Sequence, residues 1–296
     1  MRPWQFRQKT PGFGISKDFY ITVLAATAQL PSILEVVEPH GALGAIEGFG
    51  VPLSRDKQKE DLTRPMERGV YGLATRNRET VLRLVVIPKE EAGFDPAPFL
   101  RSAEARGLTP EHLNRIGATW TLLQITFESH EAMVFGSLEF LLRVGRRLAE
   151  LTEGVVSDPI SRVYLLPTEV IIGNANDARN FVRVWHKPEQ NGWMYTLGMQ
   201  KFGMPEFELF GVPAAYFASA QALLLGVAQA GLNGKQPVVG SLFASRQCPL
   251  QVAEGGLNRG NWEGIKCDEL IPPSGHTVVE ALDAWASERD AASKSV

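Results

Sequence analysis

Residues 193 to 209 read Trp193-Met-Tyr-Thr-Leu-Gly-Met-Gln-Lys-Phe-Gly-Met-Pro-Glu-Phe-Glu-Leu209, and their alternation carries the clearest strand in the chain. Trp193, Tyr195, Leu197 and Met199 recur with period two, so they project from one face of a strand while Met194, Thr196 and Gly198 project from the other. Gly203 permits a positive-φ turn, and Pro205 begins a second strand where no ladder donor is needed. The stretch is a corner joining two neighbouring strands. Upstream, Asn180 to Lys187 leads through a Pro-Glu-Gln-Asn-Gly turn into the first strand. Downstream, Ala214 to Ala230 predicts a helix. It contains Ser219, Gln221 and Gln229 and is dominated by alanine, which fits a buried helix better than a membrane span.

Elsewhere the pattern mixes strands and helices. Residues 1–17 read as a loose arm, and Asp18 to Thr27 as a strand with both faces mostly covered. Pro31 to Val37 is open between helix and strand. The mixed-charge stretch 55–68 reads as a solvated loop or short exposed helix. Val70 to Thr75 and Thr80 to Ile87 form a hairpin, and Thr119 to Phe127 is a further strand. Ser129 is expected to cap a helix running to about Glu153, with Arg143, Arg146 and Arg147 on a solvated face near its C-terminal end. Residues 254–264 read as a Gly- and Asn-rich loop, Thr277 and Glu280 as a capping box, and the tail beyond Arg289 as frayed.

These elements predict an α+β fold with mixed or antiparallel sheets and packed helices, with a pair of ferredoxin-like halves as one arrangement. The boundaries drawn are 15–116 for an N-terminal half, 117–272 for a C-terminal half, and 273–296 for a final helix and tail. At 296 residues, 44% hydrophobic and with a net charge of −3, the chain has no general attraction for nucleic acid or anionic membranes, so neither is expected as a partner. Two cysteines, Cys248 and Cys267, are too few for a disulfide framework or a zinc site and point to a reducing cytoplasm. The first residues lack the apolar core of a signal peptide.

Signatures of catalysis are incomplete. The five histidines show no i, i+4 pairing, so no metal is expected, and the glycines of residues 41–50 lack dinucleotide-loop order, so no cofactor is expected. Gly234-Lys235 lacks the remainder of a phosphate loop, and Cys248 has no adjacent base. Glu206 and Glu208 share one strand face at i, i+2, as a general acid/base pair would require. The plainer reading leaves that face to solvent, with Phe207 and Leu209 in the core. Trp185, Trp193, Tyr195 and Phe202 either line a groove or build the core.

The segment Thr196-Leu-Gly-Met-Gln-Lys-Phe-Gly-Met-Pro-Glu-Phe-Glu208 resembles an uncharacterised bacterial family, a domain of unknown function with a T-x-G-hydrophobic-x-x-F-G-x-P-E-x-E signature and an apolar helix after it. The likeness reaches over roughly residues 117–243. Some relatives of this kind resemble immunity proteins of bacterial toxin systems, which implies action by binding another protein. The sequence therefore favours a non-enzymatic cytoplasmic protein-binding module, with His186, Trp193, Glu206 and Glu208 as its binding residues. The alternative is a small-molecule hydrolase using Glu206 and Glu208, or His186, beside Trp185 and Trp193.

Overall fold

The structure is a computed structural model that describes residues 13–41, 44–53, 62–102, 104–132, 134–172, 176–256, 262 and 264–293. Most of the expected arm, half of the charged stretch 55–68, about half of the loop 254–264 and the end of the tail lie outside the described residues. The chain forms two compact units, one of residues 17–175 and one of 1–16 with 176–296. The boundary expected at 116/117 is thus moved to 175/176. Pairing explains the shift, because the strand after residue 117 sits in the middle of the first sheet and not at the start of a new domain.

In the 17–175 unit the elements are β1 (Tyr20–Ala25), α1 (Ile33–Val37), β2 (Gly48–Pro52), β3 (Gly69–Thr75), β4 (Val81–Pro88), α2 (Pro96–Leu100), α3 (Pro110–Gly117), β5 (Thr121–Ser129), α4 (Val134–Leu151), β6 (Val155–Asp158) and β7 (Val163–Leu165). Among the described residues the strands make one antiparallel sheet in the order β2-β3-β4-β5-β1-β6-β7. The ambiguity at Pro31 to Val37 resolves as helix, because Ser32 and Glu35 form a reciprocal capping box. Ser129 ends a strand and does not cap α4. Ser137 inside that helix instead accepts from the Glu131 backbone at 2.9 Å and bonds the Thr80 hydroxyl at 2.6 Å.

The arginines of α4 divide. Arg143 and Arg146 pair with Glu139 and Glu150 one turn away, as a solvated face should. Arg147 is buried, against expectation, and donates to the backbone carbonyls of Glu35, Glu38 and Gly44. It satisfies carbonyls at the C-terminal end of α1 that would otherwise be stranded. Loss of hydration lowers its pKa from the ordinary arginine value, opposed by the charge of Glu150.

The second unit contains β8 (Arg183–Lys187), β9 (Trp193–Leu197), β10 (Glu206–Leu209), α5 (Phe217–Leu232), β11 (Leu242–Ala244), β12 (Pro249–Gly255), β13 (Cys267–Ile271) and α6 (Val278–Ser293). Its described strands form a mixed sheet ordered β11-β12-β13-β10-β9-β8, in which only β10 and β13 run parallel. The α+β class with antiparallel and mixed sheets is therefore observed. Ferredoxin-like halves are not, because neither sheet is a four-stranded unit built from two split βαβ motifs. Met194, Phe207 and Leu209 face α5 and meet its buried Leu223, Leu224 and Val227. With the short 3-10 turn before it, α5 is long and apolar enough to cross a membrane, yet this side of it is packed on the sheet. The capping box at Thr277 and Glu280 is present at the start of α6.

The hairpin between β8 and β9 turns through Asn191 and Gly192, both at positive φ. A Cβ on Gly192 would be driven into the backbone of Val212, which donates back to the Gly192 carbonyl at 3.3 Å. Gly192→Ala is expected to destabilise the protein by about 2 kcal/mol, because a strained φ and a backbone collision add together. A chemical-denaturation midpoint unchanged from wild type would contradict this.

Candidate functional site

The corner between β9 and β10 leads into the two candidate carboxylates, Glu206 and Glu208 on β10. Met199 leaves the strand for a 3-10 turn, Met199–Phe202, and Gly203 closes that turn at φ 70°, so the strand is shorter than its period-two pattern suggests. The register then fixes which side chains can meet. Glu208 lies opposite Tyr195, and Tyr195 opposite Trp185, on one face; Leu209, Met194 and His186 are paired on the other. His186 is exposed on the helix-bearing face, its ring 4.8 Å from that of Phe217. It therefore projects from the face opposite to that of Glu208.

Both glutamates are fully buried, which overturns the expectation that their face is left to solvent. Glu208 accepts the indole N–H of Trp193 at 2.9 Å and that of Trp262 at 3.1 Å on the same oxygen, Oε2. The rings pack around this clamp. Trp262 stands nearly perpendicular to Trp193 and Tyr195 at 5.9 and 5.3 Å, and Phe210 stacks on Trp193 at 5.8 Å. Gly255 at the end of β12 leaves room for this carboxylate, because a Cβ there would stand 2.8 Å from Glu208 Oε1. Trp193, Tyr195 and Phe202 are buried in the core, and Trp185 packs half-buried against the first two.

Glu206 serves the turn. Its Oε1 accepts from the backbone N–H of Gly198 at 2.7 Å and of Gln200 at 3.3 Å, while Oε2 accepts from the Thr196 hydroxyl at 2.8 Å. Thr196 Oγ1 in turn accepts from the Phe207 N–H at 2.8 Å. Burial pushes the Glu206 carboxyl above its ordinary range, and these donors pull it back without cancelling the shift. Beside it Lys201 is also fully buried and donates to the Phe181 carbonyl at 2.6 Å. The polar residues of the signature stretch thus brace the corner from within.

His112 bridges Thr109 Oγ1 at 2.7 Å and Glu169 Oε2 at 2.8 Å, tying α3 to the 3-10 turn Pro167–Glu169. Cys248 and Cys267 are buried and unbridged. Loss of hydration, and then the charge of Glu280, raise the Cys248 thiol, opposite to what a nucleophile needs. Among the described residues no group of three or more His, Cys, Asp or Glu side chains could hold a metal ion.

Sequence reasoning missed Trp262. It comes from the Gly- and Asn-rich loop 54 residues beyond Glu208, and its one local signal was a large aromatic in an otherwise polar stretch. Comparison of the chain with family models, curated proteins and solved structures finds no match.

Proposed function

We propose that the chain is a non-enzymatic protein-binding module. The observation that carries this reading is that the candidate carboxylates are fully used in bracing their own corner, while a strip of the same unit is apolar and exposed. Val238 and Val239 are 61% and 51% exposed, and Leu242 on the edge strand β11 is 66% exposed. Leu242, Gln251 and Ile271 are successive cross-strand neighbours on one face, so Ile271 extends the strip across the sheet. No charged residue occurs between Gln236 and Ser245. Sheet edges are usually guarded by charge, and an unguarded apolar edge is a common mark of an interaction surface. The partner chemistry is accordingly an apolar protein surface. A cytoplasmic setting accords with the two unbridged thiols, and an immunity-like role against a bacterial toxin rests on the resemblance of Thr196 to Glu208.

Leu242→Asp combined with Ile271→Asp tests this reading. In pull-downs from native lysate the wild-type protein should retain a specific partner, and the double variant should bind it at least about tenfold more weakly with its thermal midpoint unchanged. Recovery of the same partner at equal yield by both proteins would refute the assigned surface. Absence of any specific partner would refute the binding reading itself.

A further inference from the structure

We propose that a cleft in the 17–175 unit, separate from the apolar strip, binds a cationic α-amino acid of the arginine type. The cavity measures about 660 Å³ and has three walls. These are the segment Ala45–Glu47 leading into β2, Thr75–Asn77 at the end of β3 and the turn after it, and one face of α4 with Glu131 just before that helix. On α4 the lining residues Gly136, Glu139, Phe140 and Arg143 follow the i, i+3, i+4, i+7 spacing of a single helix stripe. The volume falls inside the range of about 300 to 1,000 Å³ usual for small-molecule sites.

The floor is apolar and the rim is charged. Ile46 and Phe140 are buried beneath the cleft and suit the methylene stem of a long side chain. Above them Glu139 accepts from Arg143 Nε at 3.0 Å and Nη2 at 2.6 Å, so these two charges are spent on each other. Glu47, Glu131 and Arg76 are not spent, since their side chains make no hydrogen bond or ion pair with other described residues. Two carboxylates and one guanidinium therefore surround a greasy floor. Arginine carries the complement, with an α-ammonium, a guanidinium and one carboxylate.

Gly136 fits this assignment. Glycine inside a helix costs stability relative to alanine, and here a Cβ would stand 3.2 Å from Glu131 Oε2, so its absence leaves that carboxylate room at the cleft wall. The pairing that follows is Glu131 and Glu47 with the two cationic groups and Arg76 with the ligand carboxylate. Paired charges of this kind favour ligands that present both signs at the right separation, and they exclude simple anions.

Calorimetric titration of the full chain with L-arginine, agmatine and L-citrulline tests the proposal. Arginine should bind saturably, citrulline should not, and agmatine, lacking the carboxylate, should bind more weakly. Glu131→Gln and Glu47→Gln should each weaken arginine by about tenfold or more, the loss expected of one charged contact. Arg76→Gln should weaken arginine while leaving agmatine unchanged. No saturable heat with arginine, equal binding of citrulline, or wild-type affinity in Glu131→Gln would overturn the proposal. All three substituted side chains are surface groups outside the core, so a circular-dichroism melt matching wild type accompanies each variant. The outcome is independent of the protein-binding reading, because the apolar strip belongs to the other unit.

Discussion

Replacement of Glu208 by alanine is expected to lower the unfolding free energy by about 3–5 kcal/mol, because it strands two buried indole N–H groups and empties the space between them. Trp193 and Trp262 donate to the same carboxylate oxygen, and both indoles and the carboxylate are buried, so the two donors lose their acceptor together. Glu208→Gln keeps one oxygen able to accept both indoles and is expected to retain most of the stability. Denaturant titration followed by tryptophan emission reports on the clamp directly. A midpoint for Glu208→Ala equal to wild type would remove its energetic role.

Glu206 is expected to give a comparable loss on replacement by alanine, about 3–5 kcal/mol, and its contribution depends on pH. Alanine leaves the Gly198 and Gln200 N–H groups and the Thr196 hydroxyl without their shared acceptor. Because the folded carboxyl titrates above its unfolded value near 4.5, the folded state holds the proton more tightly. The stability this linkage contributes is full below the unfolded value and is lost as pH rises through the folded one. Glu206→Gln, which cannot ionise, should therefore gain relative to wild type as pH rises. Urea unfolding of both proteins at several values between about pH 5 and pH 8 measures the difference, and parallel stability curves would sink the prediction.

The legible part of the fold is the part governed by local rules. The corner at Gly203, the hairpin of β3 and β4, the apolar helix α5 and the cap of α6 each follow from spacing and turn chemistry within a dozen residues. The domain boundary was not legible, because β5 pairs on both sides with strands that precede it by tens of residues and nothing local records that. The carboxylates show the limit most clearly. Alternation put Glu206 and Glu208 on one face, as observed, but could not say whether that face meets water or another layer. The covering side chain, Trp262, arrives from a distant loop. Arg147 escaped for the same reason, since its acceptors belong to a helix more than a hundred positions earlier.

The position of β13 also sets an order of assembly. On one side β8, β9 and β10 form a local meander, and on the other β11 and β12 form a hairpin; β13 alone bridges them. During synthesis from the N-terminus, the meander emerges with one flank of β10 lacking its partner until Cys267 to Ile271 has left the ribosome. Loop-closure entropy must be met before that long-range parallel pairing returns any stability. The last tenth of the chain thus acts as the latch of the second unit, and nascent chains ending before it present an incomplete sheet to chaperones and proteases.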